Sequence, residues 1–152
     1  MYTKGTYVCC NFNLETSEKI AGWCIANNIP APLEHDKYHT TILYSRKPVE
    51  AVDIVSTFNN KMDFSVIGFK LFDFNEEQGA ALVLELDAPQ LKTLHETLIE
   101  AGGTHDYGSY TPHLTVSYHT PNDLDVTTLK LPDFKVTTSG FSVEPLNLNW
   151  KD

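Results

Sequence analysis

The sequence predicts an α+β domain of two pseudo-symmetric β-α-β-type lobes around a central groove, and three observations indicate this class. Strand-like and helix-like segments alternate along the 152 residues. The pattern His-x-Thr occurs twice within strand-like sequence, at His39 and at His113. The order strand, helix, His-x-Thr strand, further strand occurs twice. We therefore expect one domain, residues 1–152, in which the two histidine strands lie side by side.

The first lobe begins with a strand over residues 3–13. A helix then opens near Thr16 or Ser17, either of which is a suitable N-cap. Apolar residues at i, i+3 and i+4 from Ile20 give this helix one apolar face. The proline-containing segment 27–32 ends it, because proline cannot continue a helix. The first histidine strand follows this loop.

A hairpin links the two lobes: its first strand, 64–74, ends the first lobe, and its return strand, 80–86, begins the second. Alternating apolar residues over 64–74, a turn at 75–79 and a return strand at 80–86 predict this hairpin. A helix over 88–101 follows, and Gly102-Gly103 marks its end. The remaining predicted strands are 111–119, which carries His113, and the C-terminal candidates 134–138 and 141–148.

The two histidine strands, 37–45 and 111–119, each place an imidazole and a hydroxyl on one face. Residues i and i+2 of a strand point in the same direction, which pairs His39 with Thr41 and His113 with Thr115. Strict alternation adds Ser117 and His119 to the second polar face and assigns Leu114, Val116 and Tyr118 to the other face. A polar face backed by an apolar face is typical of a strand that lines a pocket. The structural alternative is a half-exposed strand with ordinary β-propensity.

A third His-x-Thr, at His95 and Thr97, has a different setting. Leu91, Leu94 and Leu98 around it recur at helical spacing. Residues i and i+2 diverge on a helix, so this pair cannot serve one ligand. We therefore expect His95 to lie outside the site and its replacement by alanine to leave turnover unchanged.

Composition limits the partners. The formal net charge is −9, with 41% hydrophobic and 20% charged residues. Binding of long nucleic acids depends on many Lys and Arg contacts to phosphates, so no long nucleic acid is expected, whereas a small phosphate ligand remains compatible. The start lacks a long apolar core and no apolar run reaches bilayer length, so we expect no membrane association. The three cysteines show no metal-ligand spacing and predict buried free thiols in a reducing cytoplasm.

Paired histidines suit cleavage of an RNA-type phosphodiester. This reaction needs a base for the 2′-hydroxyl and an acid for the departing 5′-oxygen, and histidine can do either near neutral pH. Thr41 and Thr115 can donate hydrogen bonds to the non-bridging oxygens. Either His39 or His113 can be the base. The sequence shows no cluster with metal-ligand spacing, so no metal and no cofactor are expected.

Two His-x-Thr motifs on strands, one per lobe, resemble the two-histidine (2H) phosphoesterase superfamily. Size, acidic balance and flanking residues most resemble the phage anti-CBASS cyclic-oligonucleotide nucleases. The resemblance implies that His39, Thr41, His113 and Thr115 are catalytic. It also implies a metal-independent phosphodiesterase that cleaves the 3′–5′ linkages of cyclic di- or trinucleotide signals such as 3′3′-cGAMP, through attack of the adjacent 2′-hydroxyl, and so counters CBASS defence. Such a protein would be a monomer or weak oligomer in the cytoplasm, that of the host cell if phage-encoded.

The resemblance also suggests substrate contacts. Tyr7 and Trp150 would each stack on a base, and Glu144 would accept from an exocyclic amine or a guanine edge. His105 and Tyr107 would form a lid from the loop before the second motif. The structural alternatives are core packing for Tyr7, closure of the C-terminal sheet edge by Trp150, a solvated strand position for Glu144, and loop surface for the other two.

Three other functions compete with this interpretation. A sponge would bind the cyclic nucleotide without turnover, but sequestration needs no paired histidines. An RNA 2′,3′-cyclic phosphodiesterase of the RNA ligase-like 2H group would favour a basic surface, which the net charge of −9 disfavours. A structural or interaction protein explains neither motif.

Overall fold

The computed structural model describes residues 5–58, 60–106 and 109–146, with the backbone alone for residues 73–75. Strands and helices alternate along this part of the chain, and the predicted α+β class is confirmed. The strands are β1 (Thr6–Phe12), β2 (His39–Ser45), β3 (Asp63–Asn75), β4 (Gly79–Asp87), β5 (His113–Thr120) and β6 (Val136–Pro145). The helices are α1 (Leu14–Ala26), α2 (Ala51–Ser56) and α3 (Pro89–Glu100), with 3₁₀ turns at His35–Lys37 and Val126–Thr128.

The six strands form one antiparallel sheet in the order β2-β1-β6-β3-β4-β5. It consists of two three-stranded halves, β2-β1-β6 and β3-β4-β5. The halves meet where Asp63 and Phe64 at the start of β3 pair with Thr137 and Val136 of β6. The two outermost strands, β2 and β5, nevertheless lie close to each other in space. Both predicted histidine strands therefore border the same central region.

The course of the chain between the halves differs from a simple repeat. The strand that follows each histidine strand in sequence joins the other half: β3 follows β2 but pairs with β4, and β6 follows β5 but pairs with β1. The tight turn between β3 and β4 explains the first exchange, because it binds these two strands as a hairpin. The C-terminal strand is also continuous over Val136–Pro145, where the sequence predicted two shorter strands.

Helix α1 begins earlier than predicted. Its N-cap is Asn13, whose side-chain oxygen accepts from the backbone N–H of Thr16 at 2.8 Å. Thr16 and Ser17, the predicted caps, lie in the first turn of the helix, and both are buried. The prediction was wrong because Asn13 continues the polar-apolar alternation of β1, so the pattern extends the strand through the true N-cap. Trp23 on this helix stacks on Phe69 of β3 at 5.5 Å between ring centroids.

Helix α3 matches its prediction closely. Leu91, Leu94 and Leu98 are fully buried, and each such side chain stabilises the fold by about 1.5–3 kcal/mol. Gly102 has φ = 110°, and the N–H of Gly103 donates to the carbonyl of Leu98 at 3.0 Å. This is the glycine C-cap that the sequence predicted. The helix packs against β2, which brings it behind the first motif.

The three cysteines, Cys9, Cys10 and Cys24, are buried and free, as predicted. Burial raises the pKa of Cys10 to about 12 and that of Cys24 to about 11. These two thiols are therefore protonated at neutral pH and are core residues rather than nucleophiles. Within the described residues, no helix combines the length and the apolar character needed to cross a bilayer.

Candidate active site

The two histidine strands line one cleft of about 830 Å³. His39 and Thr41 face it from β2, and His113 and Thr115 face it from β5. These four side chains are partly exposed, whereas the residue between each His and Thr is fully buried. Within the motifs the predicted alternation is therefore present, and the four predicted catalytic residues come together.

Both histidine rings are held in the same way. Nδ1 of His39 lies 3.0 Å from the carbonyl oxygen of Lys37, and Nδ1 of His113 lies 3.0 Å from that of Thr111. A carbonyl oxygen only accepts, so each Nδ1 carries the hydrogen of these bonds. Nε2 of each ring is then available to a ligand, taking a proton when the ring is neutral and giving one when it is charged. The ring of Phe72 packs edge-on against His113 at 5.5 Å.

Each histidine strand contains a β-bulge at the same place. The extra residue is Ile42 on β2 and Val116 on β5, each three residues after the motif histidine. An extra residue reverses the alternation beyond it. Tyr44 and Tyr118 consequently line the cleft, and both strands follow the longer pattern His-x-Thr-x-x-Tyr.

The bulge corrects one prediction about β5. Strict alternation placed Ser117 and His119 on the polar face and Tyr118 on the opposite face, which is wrong. Ser117 is fully buried, and its hydroxyl donates to the carbonyl of Pro30 at 2.7 Å. His119 is exposed outside the cleft, whereas Tyr118 lines it.

Tyr7 binds one of the motif threonines. Its hydroxyl lies 2.8 Å from Oγ1 of Thr41, and its ring meets Tyr44 edge-on at 6.4 Å. Tyr7 is half-buried and lines the cleft, so it is not simply a core residue. When the tyrosine hydroxyl donates, the hydrogen of the Thr41 hydroxyl is available to a ligand.

Few charges line the cleft. Arg46 binds Asp106 through two contacts, Nε to Oδ1 at 3.0 Å and the terminal nitrogen to Oδ2 at 2.8 Å. This hydrogen-bonded guanidinium lowers the pKa of the Asp106 carboxyl. Lys70 and Glu85 complete the fixed charges among the described lining residues. Because the two cations are balanced by two carboxylates, this cleft suits a small phosphate ligand better than a long polyanion.

The predicted substrate-binding residues have different outcomes. His105 lines the cleft and is half-buried. Glu144 is exposed on β6, where it pairs with Tyr7 across the ladder, so it lies on the same face of the sheet but outside the cleft lining. Tyr107 and Trp150 lie outside the described residues.

His95 lies on α3, as predicted, and outside the cleft lining. It is 6% exposed, and its Nδ1 lies 2.7 Å from the carbonyl oxygen of Ile42 in β2. Its ring also stacks on Tyr110 at 4.3 Å. Sequence reasoning missed this contact with the motif strand, because no local pattern relates residues 42 and 95.

The cleft thus presents two imidazoles and two hydroxyls around one volume. This arrangement can bind a phosphate group and exchange protons on two sides of it. In the described part of the chain, no group of three or more His, Cys, Asp or Glu side chains is placed to hold a metal ion.

Known structures with a similar fold include two phosphoesterases. The chain superimposes on Escherichia coli LigT complexed with 3′-AMP with a TM-score of 0.63 and 13% identity, covering 94% of this chain and 87% of that one. A structure described as that of a phosphoesterase gives a TM-score of 0.61 at 13% identity, with the same coverage. The fold is therefore that of the LigT-like 2H phosphoesterases, as the resemblance implied.

Sequence comparison places the family. The family model for Anti-CBASS protein Acb1 matches residues 4–152. Anti-CBASS protein Acb1 of Vibrio phage KVP40 is 34% identical over 148 residues, which is 97% of this chain and 91% of the relative. The protein of the same name from Enterobacteria phage T4 is 30% identical over 156 residues, covering 99% and 94%. With a match over nearly its whole length, this chain belongs to the Acb1 family of anti-CBASS proteins.

Proposed function

We propose that the protein is a phosphodiesterase that opens cyclic di- or trinucleotide signals at 3′–5′ linkages by histidine acid-base catalysis, and thereby counters CBASS defence. The observation that carries this proposal is the matched pair of imidazoles: His39 and His113 each bind a backbone carbonyl through Nδ1 and face one cleft. Two such imidazoles can supply the general base and the general acid of the reaction.

The proposed reaction uses the substrate's own nucleophile. One neutral imidazole takes the proton of the 2′-hydroxyl at Nε2, and the 2′-oxygen forms a bond to the adjacent phosphorus. The bond from phosphorus to the 5′-oxygen breaks, and the other, protonated imidazole gives its proton to that oxygen. The products are an opened chain with a 2′,3′-cyclic phosphate and a 5′-hydroxyl. Either His39 or His113 serves as the base, since both rings are held alike.

The threonines stabilise the charge on the phosphate. Thr41 and Thr115 stand two residues after the histidines on the cleft face and can donate to the non-bridging oxygens as their charge increases. Tyr7 supports this role on one side, because its bond to Oγ1 fixes the hydroxyl of Thr41.

The cleft and the family support the proposed substrate class. A lining with few cations and several aromatic rings suits a ligand that is bound by its bases, each stacking contact contributing roughly 1–3 kcal/mol. The relatives are named anti-CBASS proteins, and the resemblance to the anti-CBASS nucleases implies a cyclic oligonucleotide such as 3′3′-cGAMP as the substrate. We assign base contacts to Tyr7, Glu144 and, outside the described residues, Trp150, and a lid over the ligand to His105 and, outside the described residues, Tyr107.

The direct test is a substrate panel. The protein is incubated with cyclic di- and trinucleotides in the presence of EDTA, and the products are followed by mass spectrometry. The proposal predicts ring opening of 3′–5′ linked members. Binding without products would identify a sponge instead, and turnover of linear 2′,3′-cyclic phosphates alone would identify an RNA phosphodiesterase.

Replacing either motif threonine should have a moderate effect on catalysis. Thr41→Val or Thr115→Val removes one hydrogen bond to a charged phosphate, and we expect kcat to fall by about 10- to 100-fold. The same substitution in the helical copy of the motif, Thr97→Val, is the control, because that hydroxyl bonds the carbonyl of Thr93 within α3. Steady-state kinetics with a cleaved cyclic dinucleotide measures the effect. Unchanged kcat in both motif variants would remove the threonines from the mechanism.

The dependence on pH and metal follows from the paired histidines. At low pH both imidazoles are charged and no base remains, and at high pH both are neutral and no acid remains. We therefore expect a bell-shaped rate profile around neutral pH, with full activity in EDTA. A rate that is lost in chelator and restored by a divalent cation would contradict the proposal.

A further inference from the structure

Two side chains from outside β2 bind its bulge. The carbonyl oxygen of Ile42, the extra residue, accepts from Nδ1 of His95 at 2.7 Å. The preceding carbonyl, that of Thr41, accepts from the hydroxyl of Tyr110 at 2.7 Å. β2 is the last strand of its sheet, so carbonyls on its open edge need partners other than a strand. His95 and Tyr110 thus anchor two successive peptide groups of the motif.

The bulge on β5 has an anchor at the same position. Val116 corresponds to Ile42, since each stands three residues after its motif histidine. The carbonyl of Val116 accepts from the backbone N–H of Leu33 at 2.8 Å. The equivalent carbonyls therefore have different donors. The carbonyl on β5 accepts from a backbone amide of a loop, and the carbonyl on β2 accepts from a histidine side chain. Each bulge therefore has a hydrogen-bond donor at the same carbonyl.

The environment of His95 fits a fixed donor. Its ring is nearly parallel to that of Tyr110, with 12° between the planes, and meets the ring of His105 edge-on at 4.6 Å. Burial lowers the pKa of His95, opposed by the hydrogen bond to Ile42. A carbonyl oxygen only accepts, so the hydrogen of this bond is on Nδ1 of His95.

We propose that His95, together with Tyr110, is a positioning residue for the first motif: it binds the bulge of β2 and so sets the direction of His39 and Thr41 toward the phosphate. This inference rests on the proposed function. It reverses the sequence-based expectation that His95 can be replaced without effect. A displacement of catalytic groups by about 1 Å can lower a rate by about 10²-fold. Substrate affinity should change less, because it depends on contacts distributed over the whole cleft.

The test compares two side chains of similar size. His95→Asn keeps an N–H donor near the position of Nδ1, and His95→Leu fills similar volume without a donor. We expect His95→Leu to lower kcat by about 10- to 100-fold with KM within about threefold of the wild type, and His95→Asn to restore most of the loss. Tyr110→Phe keeps the ring stack and removes the second anchor, so it should lower kcat in the same range.

Two results of these measurements would overturn the inference. One is a His95→Leu protein with wild-type kcat. The other is an equal loss of kcat in the Asn and Leu variants together with an equal fall in their melting temperatures. This result would mean that His95 contributes only by packing and not by its hydrogen bond.

Backbone NMR makes the inference testable even if the wild type cleaves no cyclic nucleotide. His95→Leu should shift the amide resonances of residues 39–44 and His95→Asn should not. Unchanged resonances in the Leu variant would contradict the inference, whereas absence of wild-type turnover would contradict only the proposed function.

Discussion

Replacing either motif histidine with asparagine should lower turnover of a cyclic dinucleotide by about 10²- to 10⁴-fold while its dissociation constant stays within a few-fold. Asparagine can still donate to the carbonyl oxygen that Nδ1 binds, which is that of Lys37 before β2 and that of Thr111 before β5. It lacks Nε2, the atom that exchanges the proton in the reaction. The substitution therefore removes the acid or base and keeps the local hydrogen bond.

The measurement is single-turnover kinetics of His39→Asn and His113→Asn, with ligand affinity by calorimetry. His35→Asn is the matched control, because His35 is exposed in a 3₁₀ turn outside the cleft. The double variant should be little slower than the slower single variant, since the two residues act on one transition state. Full activity in either single variant, with the fold intact, would remove that histidine from the mechanism.

A 2′-deoxy cyclic dinucleotide should bind and resist cleavage. In the proposed reaction the 2′-hydroxyl next to the scissile phosphate is the nucleophile, so removing it removes the attacking atom. The loss should exceed that of either histidine variant, because no protein group can replace the missing nucleophile. A linkage attached at the 2′-oxygen presents a 3′-hydroxyl to the phosphorus instead of the 2′-hydroxyl, and we expect it to resist because the attacking oxygen then lies on the other ribose carbon.

The comparison uses the ribose and 2′-deoxy ligands at equal concentration, with affinity and product formation measured separately. Competition with the ribose substrate shows that the analogue occupies the same cleft. Rapid cleavage of the deoxy analogue would mean that water attacks the phosphorus directly. The histidines would then act on water instead of on the 2′-hydroxyl.

Local patterns predicted the elements that carry the site. Alternation identified the strands of His39 and His113, and leucine spacing with a glycine pair identified α3. These signals are local because each is produced by one strand or one helix burying one face. The fold class and the meeting of the two motifs in one cleft followed from the order of these elements.

The parts that the sequence did not predict depend on long-range pairing. The bulges at Ile42 and Val116 arise from register with neighbouring strands, and a count by twos cannot detect an extra residue. Tyr118 was therefore assigned to the wrong face. The contact of Tyr7 with Thr41 and that of His95 with Ile42 join residues far apart in sequence, so they become visible only in the folded chain.

The pairing of the C-terminal strand shows the same limit at the level of topology. β6 follows β5 in sequence but completes the half that contains β1. A repeated order of elements predicts two halves, yet it does not determine which half receives each connecting strand. In the folded chain β6 pairs with β1 and also with the start of β3, contacts that no local pattern in the sequence shows.

The central claim, attack by the internal 2′-hydroxyl between two histidines, is tested most directly by cleaving a 3′3′-cyclic dinucleotide in water labelled with ¹⁸O. The earliest linear product is analysed by mass spectrometry before the terminal cyclic phosphate is hydrolysed. The account predicts a first product with the same mass as the substrate and no ¹⁸O, followed by a second that contains one labelled oxygen. A first product that already contains ¹⁸O at its phosphate would contradict it.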